Sequence, residues 1–183
     1  MCSARPSHMH TTFSRHDRLA FEPIAPHDVA FVLDNARALQ LAAQVGDARA
    51  LLRGRKFALM CEMDNDSDND NDSASDAALF RRAAVELGAH VAHIRPSLTE
   101  LSTPQEVLHT ACMLGRLYDA VECQGMAADL VHRLGADAGV PVYDAIASQH
   151  HPTAKLDGLL GGDSPALDKR RFVLQAVLLS TVV

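Results

Sequence analysis

Basic residues are in short supply in this chain: 17 Lys and Arg stand against 23 Asp and Glu, a formal charge of −6 over 183 residues. They are scattered except at Lys169-Arg170-Arg171, so the electrostatic footprint required for nucleic acid is missing and no nucleic-acid partner is expected. Long apolar runs are also lacking. The longest, Phe172 to Val183, is broken by Gln175, Ser180 and Thr181 and falls short of the roughly 20 residues that cross a bilayer, so no membrane partner is expected. Met1 to Arg18 is polar and His-rich, which argues against a secretory signal and for a cytoplasmic protein. Cys2, Cys61, Cys112 and Cys123 are widely separated, with no CxxC; the spacing does not suit a zinc site, and Cys61 and Cys123 read as small apolar side chains.

What is present suffices for one domain, since a chain of this length buries roughly 70% of its unfolded surface. Residues 1–20 show no periodicity and read as a flexible tail, with His8, His10 and His16 solvated rather than ligating. Val29, Val32, Leu33, Ala36, Leu39 and Ala43 recur at helical steps, with Asp28 as N-cap and Gly46 as stop. Short apolar runs then alternate with helical patterns: strands at Phe57–Cys61, Ala89–Ile94, Tyr118–Cys123 and Val140–Tyr143, and helices at Ala77–Leu87, Pro104–Leu117, Met126–Ala138 and Thr153–Leu160. Thr103-Pro104-Gln105-Glu106 is a capping box with proline at the first helical position. The alternation predicts an α/β fold, an open parallel four-stranded sheet with helices on both faces.

At the first strand-to-helix junction such folds usually seat an anion, because free backbone N–H groups and the positive end of the helix dipole point there. Here Glu62 is followed within fifteen residues by six Asp, at 64, 66, 68, 70, 72 and 76, with no Lys or Arg among them. Two like charges 4 Å apart repel by about 1 kcal/mol even in bulk water. A phosphate would be pushed away. Asp64-x-Asp66-x-Asp68 has the first ligand spacings of a calcium loop, but Asn69 stands where that loop needs Gly and Ser75 where it needs Glu, so no metal is expected.

Several stretches resemble the aspartate/ornithine carbamoyltransferase family: Leu87-Gly88-Ala89, His109 to Ala120, Val140-Pro141-Val142-Tyr143 and His151-Pro152-Thr153-Ala154-Lys155-Leu156. The similarity is to the N-terminal, carbamoyl-phosphate-binding domain of ornithine carbamoyltransferase over about 130 collinear residues. Asp168 to Val183 is similar to the family's C-terminal helix, which crosses back onto the first domain. The resemblance implies a flexible tail 1–20, a carbamoyl-phosphate-type domain 21–160 with an acidic loop 62–76, a connector 161–167 and a closing helix 168–183. The amino-acid-binding domain that intervenes in the family is replaced by Gly161-Gly162-Asp163-Ser164-Pro165 and a few neighbours, good turn chemistry for a splice.

The resemblance also assigns site positions. The family's Ser-Thr-Arg-Thr-Arg phosphate cradle falls on Ser73-Ala74-Ser75-Asp76-Ala77, with Ser75 and Ala77 in place of its arginines. A third arginine position holds Gln124, and the glutamine of the His-Pro-x-Gln motif is Ala154. His151 alone survives among these most diagnostic positions, and it either polarises a carbonyl or caps the following helix. Arg116 and Asp119 match family residues but read as local structural fixtures, and Glu122 and Asp129 as ordinary surface or strand-end charges. Lost arginines are not replaced by a serine or an amide. The expectation is therefore a degenerate, catalytically inactive chain that binds carbamoyl phosphate weakly if at all, uses no cofactor, and works by association, as a homotrimer or with a full-length carbamoyltransferase. Two alternatives stay open: a substrate-binding subunit that transfers the carbamoyl group to an amino acid together with a second chain, and an acidic-loop cation module.

Overall fold

A computed structural model of the chain describes residues 26–46, 50–61 and 75–183. The tail 1–20, most of the acidic loop and Ser73 lie outside the described residues. The elements in chain order are α1 (Pro26–Gln44), β1 (Lys56–Met60), α2 (Asp76–Glu86), β2 (His90–Ile94), α3 (Pro104–Leu117), β3 (Ala120–Cys123), α4 (Ala128–Ala138), β4 (Val142–Asp144), a 3₁₀ helix (Pro152–Leu159) and α5 (Ala166–Val182). All strand pairs are parallel and the sheet order is β2-β1-β3-β4.

Strand alternation divides the core in two. Phe57 and Leu59 of β1 face Val32 and Ala36 of α1, Leu79 and Phe80 of α2 and the run Phe172–Leu178 of α5. Ala58 and Met60 face Val107 and Leu114 of α3 and Leu130 and Leu134 of α4. With helices on both faces, β1 and β3 have almost no solvent side, so they read as near-continuous apolar runs rather than as alternating ones, whereas the edge strand β2 keeps His90 and His93 exposed. Helix α5 is buried almost all round, from Phe172 through Leu178, because it is wedged among α1, α2 and the 3₁₀ helix.

Local chemistry sets the ends of the elements. The Thr103 side chain accepts from Glu106 N while the Glu106 carboxylate accepts from Thr103 N, the capping box expected for α3. Asp28 is not an N-cap: α1 already begins at Pro26 and Asp28 sits buried in its first turn. The short helix expected over Thr153–Leu160 is a 3₁₀ helix, Pro152–Leu159. The third and fourth strands are also shorter than expected; Tyr118 is the C-cap of α3, and the last strand runs from Val142 to Asp144.

Helices α3 and α4 pack closely because α3 carries glycine at their contact. A Cβ added at Gly115 would lie 1.9 Å from the carbonyl oxygen of Ala138. Alanine gains about 1 kcal/mol of helix propensity over glycine. The clash is with backbone, which cannot swing aside, and overpacking of this kind costs typically 1–3 kcal/mol or more. Gly115→Ala is therefore expected to destabilise the fold by roughly 1–2 kcal/mol, read as a lowered urea midpoint with an unchanged denaturant slope.

Candidate functional site

From β1 the chain winds through α2 to β2 on one side, then crosses through α3 to β3 on the other. The strand order therefore reverses between β1 and β3, and the crevice outside their carboxyl ends is where open α/β sheets place ligands. Cys61 follows β1 there, Ser75 and Asp76 open α2, Glu122, Cys123 and Gln124 end β3, and Asp144 ends β4.

Ser75 is the N-cap of α2, its hydroxyl accepting from Ala78 N at 3.1 Å, and Asp76 occupies the first turn. A carboxylate thus stands beside the positive end of the helix dipole. Gln124 donates from Nε2 to Glu122 Oε1 at 3.2 Å. His151 caps the 3₁₀ helix: its Nδ1 accepts from Thr153 N at 3.3 Å and lies 2.8 Å from Thr153 Oγ1. Of its two readings, capping is the one the geometry displays. Asp119 accepts from Lys56 N and from Arg55 Nη1, both at 2.8 Å, and these bonds outweigh partial burial to hold its carboxyl below the ordinary range. That is the structural fixture expected of it.

Glu122 corrects the sequence reading. It lies at the end of β3 but is no surface charge, being fully buried. In register it pairs with Leu59 and Tyr143, so it points into the core beneath α2 and α5. Burial pushes its carboxyl up to about 8 against hydrogen bonds from Gln124 and the Ile146 amide, with Asp144 and Asp76 adding repulsion. Its Oε2 is buried with no hydrogen-bond partner. The signal was present in the sequence: alternation through Ala120-Val121-Glu122-Cys123 in a strand covered on both faces leaves a glutamate no solvent to reach.

Arg170 was noted only as part of the closing helix. Its side chain is fully buried, with Nη2 donating to the carbonyls of Ile146 and Ser148 and Nε to that of Ala147 at 3.4 Å. Nη1 stands 3.5 Å from Asp157 Oδ1. Burial pushes Asp157 up to about 6 although Arg170 pulls it down. The guanidinium thus ties α5 to the turn after β4, within electrostatic range of Asp76 and Glu122. That turn contains Ala145 at φ 48°, a left-handed conformation in a residue that carries a Cβ.

Cys61 and Cys123 sit on opposite faces of adjacent strands and cannot pair, since Cys61 packs toward the α5 side and Cys123 toward the α3 side. Cys61 Sγ lies 3.9 Å from His93 Nδ1, but burial raises the thiol and lowers the imidazole, so the pair is neutral rather than an activated thiolate. Among the described residues no group of three His, Cys, Asp or Glu is placed to hold a metal ion, and no helix is long and apolar enough to cross a membrane.

The fold is that of a doubly wound α/β domain, with its switch point between β1 and β3. No protein-family profile matches the sequence. The catabolic ornithine carbamoyltransferase of Chromobacterium violaceum is 35% identical over 136 residues, 74% of this chain and 38% of that protein. The solved ornithine carbamoyltransferase of Burkholderia thailandensis superposes with a TM-score of 0.62 at 20% identity, covering 79% of this chain and 47% of that one. The catalytic subunit of M. jannaschii aspartate transcarbamoylase gives a TM-score of 0.57 at 19% identity, covering 78% of this chain and 44% of that one. Over these residues the chain belongs to the aspartate/ornithine carbamoyltransferase family, and it spans about two fifths of the length of the curated relatives it matches.

Two substitutions probe this edge of the sheet. The Glu122 carboxyl, ordinarily at 4.5 and here at about 8, keeps its proton in the fold while the unfolded chain loses it. Its contribution is intact below pH 4.5 and drains away as pH rises to about 8. The loss amounts to roughly 1.4 kcal/mol per pH unit. Glu122→Gln is expected to stabilise the protein by an amount that grows across that window and then levels off, followed by thermal melts at successive pH values. Ala145→Gly is expected to stabilise by roughly 0.5–1 kcal/mol, the relief of left-handed strain exceeding the entropy of a freer unfolded chain; a raised urea midpoint is the readout.

Proposed function

We propose that the chain is a catalytically inactive relative of the carbamoyl-phosphate-binding domain that acts in the cytoplasm by association, with copies of itself in a trimer or with a full-length carbamoyltransferase. The observation that carries this reading is the charge at the crevice. Ser75, Ala77 and Gln124 occupy the positions where the resemblance puts arginines, while Asp76 stands in the first turn of α2, where that resemblance would seat a phosphate, and Asp144 ends β4 nearby.

Carbamoyl transfer needs the leaving phosphate's charge neutralised and the acceptor amine held against the carbonyl carbon. Arg170 is unsuited to replace the lost cations, since its donors are directed at the carbonyls of residues 146–148 and at Asp157. The amine-holding domain has no room at its expected place, because only Leu160 to Pro165 join the 3₁₀ helix to α5. The association side of the reading draws on an open groove along the outer face of α3, where Leu98, Leu108, Met113 and Leu117 line an apolar surface flanked by Glu106 and Arg116.

Titration calorimetry with carbamoyl phosphate, alone and with ornithine, is expected to give no saturable heat at millimolar concentration. Binding at millimolar or tighter would replace this reading with that of a substrate-binding subunit working with a second chain. Recovery of the protein from its source cells as a monomer free of any stoichiometric partner would remove the association role.

A further inference from the structure

The crevice is acidic in a particular way. Asp76 and Asp144 are half-exposed at its mouth, and Glu122 lies fully buried beneath them with Oε2 unpartnered. A buried acceptor left without a donor costs about 1–3 kcal/mol. The groups bearing on Glu122 are Cys61 at the end of β1, Asp76 on α2, Cys123 and Gln124 on β3, Tyr143 and Asp144 on β4, the Ile146 amide and Arg170 on α5. Gln124 and Ile146 already serve this carboxyl, while Arg170 donates through Nε and Nη2 to the 146–148 carbonyls and keeps Nη1, itself without a hydrogen-bond partner, 3.5 Å from Asp157.

The chemistry of a complementary ligand follows. An anion meets three carboxyl groups. A metal ion needs several donors converging on one point, and among the described residues no three His, Cys, Asp or Glu do so. An alkylammonium carries positive charge together with N–H donors aimed in three directions, which suits acceptors spread around a crevice. We infer that the crevice binds a small primary amine as its ammonium ion, with Glu122 Oε2 as the principal acceptor and Asp76 and Asp144 providing the surrounding negative field. The inference rests on reading this site as one that has ceased to hold anions, and it adds the class of ligand that replaces them.

Binding carries a proton signature. The Glu122 carboxylic acid and the ammonium ion form a carboxylate–ammonium pair, and the displaced proton passes to buffer. Amine affinity therefore rises by close to tenfold from pH 6 to pH 7 and levels off above pH 8, following the Glu122 carboxyl at about 8.

The experiment uses the full chain with ethylammonium as probe, in calorimetry run in two buffers of different ionisation enthalpy. Expected are a saturable heat, release of close to one proton at pH 7, loss of that proton release in Glu122→Gln, and a severalfold weaker affinity in Asp144→Asn. Circular dichroism confirms that both variants are folded. Tetramethylammonium, with the same charge and no N–H donor, is expected to bind at least tenfold more weakly. Equal binding of tetramethylammonium, or proton release unchanged in Glu122→Gln, overturns the inference. A magnesium response that depends on Glu122 and exceeds the amine response also overturns it. No saturable heat with the amine removes the inference and leaves the inactive-scaffold reading standing, whereas saturable binding of inorganic phosphate at the crevice removes both.

Discussion

Arg170 leaves α5 with its guanidinium out of reach of solvent and directs it at the carbonyls of Ile146, Ala147 and Ser148 and at Asp157. Removing such a charge from water costs several kcal/mol, and the cost is met only when geometry and partners are fixed together. The last helix, the turn after β4 and the 3₁₀ helix are consequently one unit. Their joint position defines the wall of the crevice into which Asp76 and Asp144 project their field, above the buried Glu122 carboxyl. Tyr143, Glu122's register partner on β4, adds a second tie by meeting the Thr181 hydroxyl on the far turn of α5.

With α5 held in this way, the crevice presents Asp76 and Asp144 where the resemblance describes an arginine-lined phosphate cradle. A doubly wound sheet makes the end of β1 attractive to anions through backbone dipoles alone, but those are partial charges confined to one helical turn. Full carboxylates within the same turn and on the neighbouring strands oppose them. The helix N-terminus is also internally satisfied, since the Ser75 hydroxyl takes the Ala78 amide that a ligand oxygen would otherwise claim. Retention of the fold and the proposed loss of the anion site are compatible because different residues carry them: aliphatic side chains on both sheet faces for the first, a few polar residues at the strand ends for the second.

The sheet, its parallel sense and the helices between the strands were legible because apolar runs of four to six residues, broken by capping signals such as Thr103–Glu106, have few other physical solutions. The resemblance was legible for the same reason, being carried largely by residues that build α3, β3 and the turn at His151. Where reading failed, the deciding context lay sometimes far along the chain and sometimes two residues away. Glu122 looked like an end-of-strand charge because nothing local announces that α5 will cover its face; Asp28 looked like a cap because Pro26 had not been placed inside the helix. Residues 152–159 carry a helical pattern, but His151 holding Thr153 at its start accompanies the tighter 3₁₀ winding.

The joint between the 3₁₀ helix and α5 has a consequence of its own. Gly161 and Gly162 both take left-handed backbone angles, and Ser164 is fastened to α1 by the Gln40 amide at 2.7 Å. Its two flanks are anchored independently, one through Leu156 and Leu160 in the core and the other through α5 itself. An exposed loop whose stems are fixed side by side is a natural docking port for inserted polypeptide. An insertion at this position would leave every strand beside its present neighbours, with the interior unchanged.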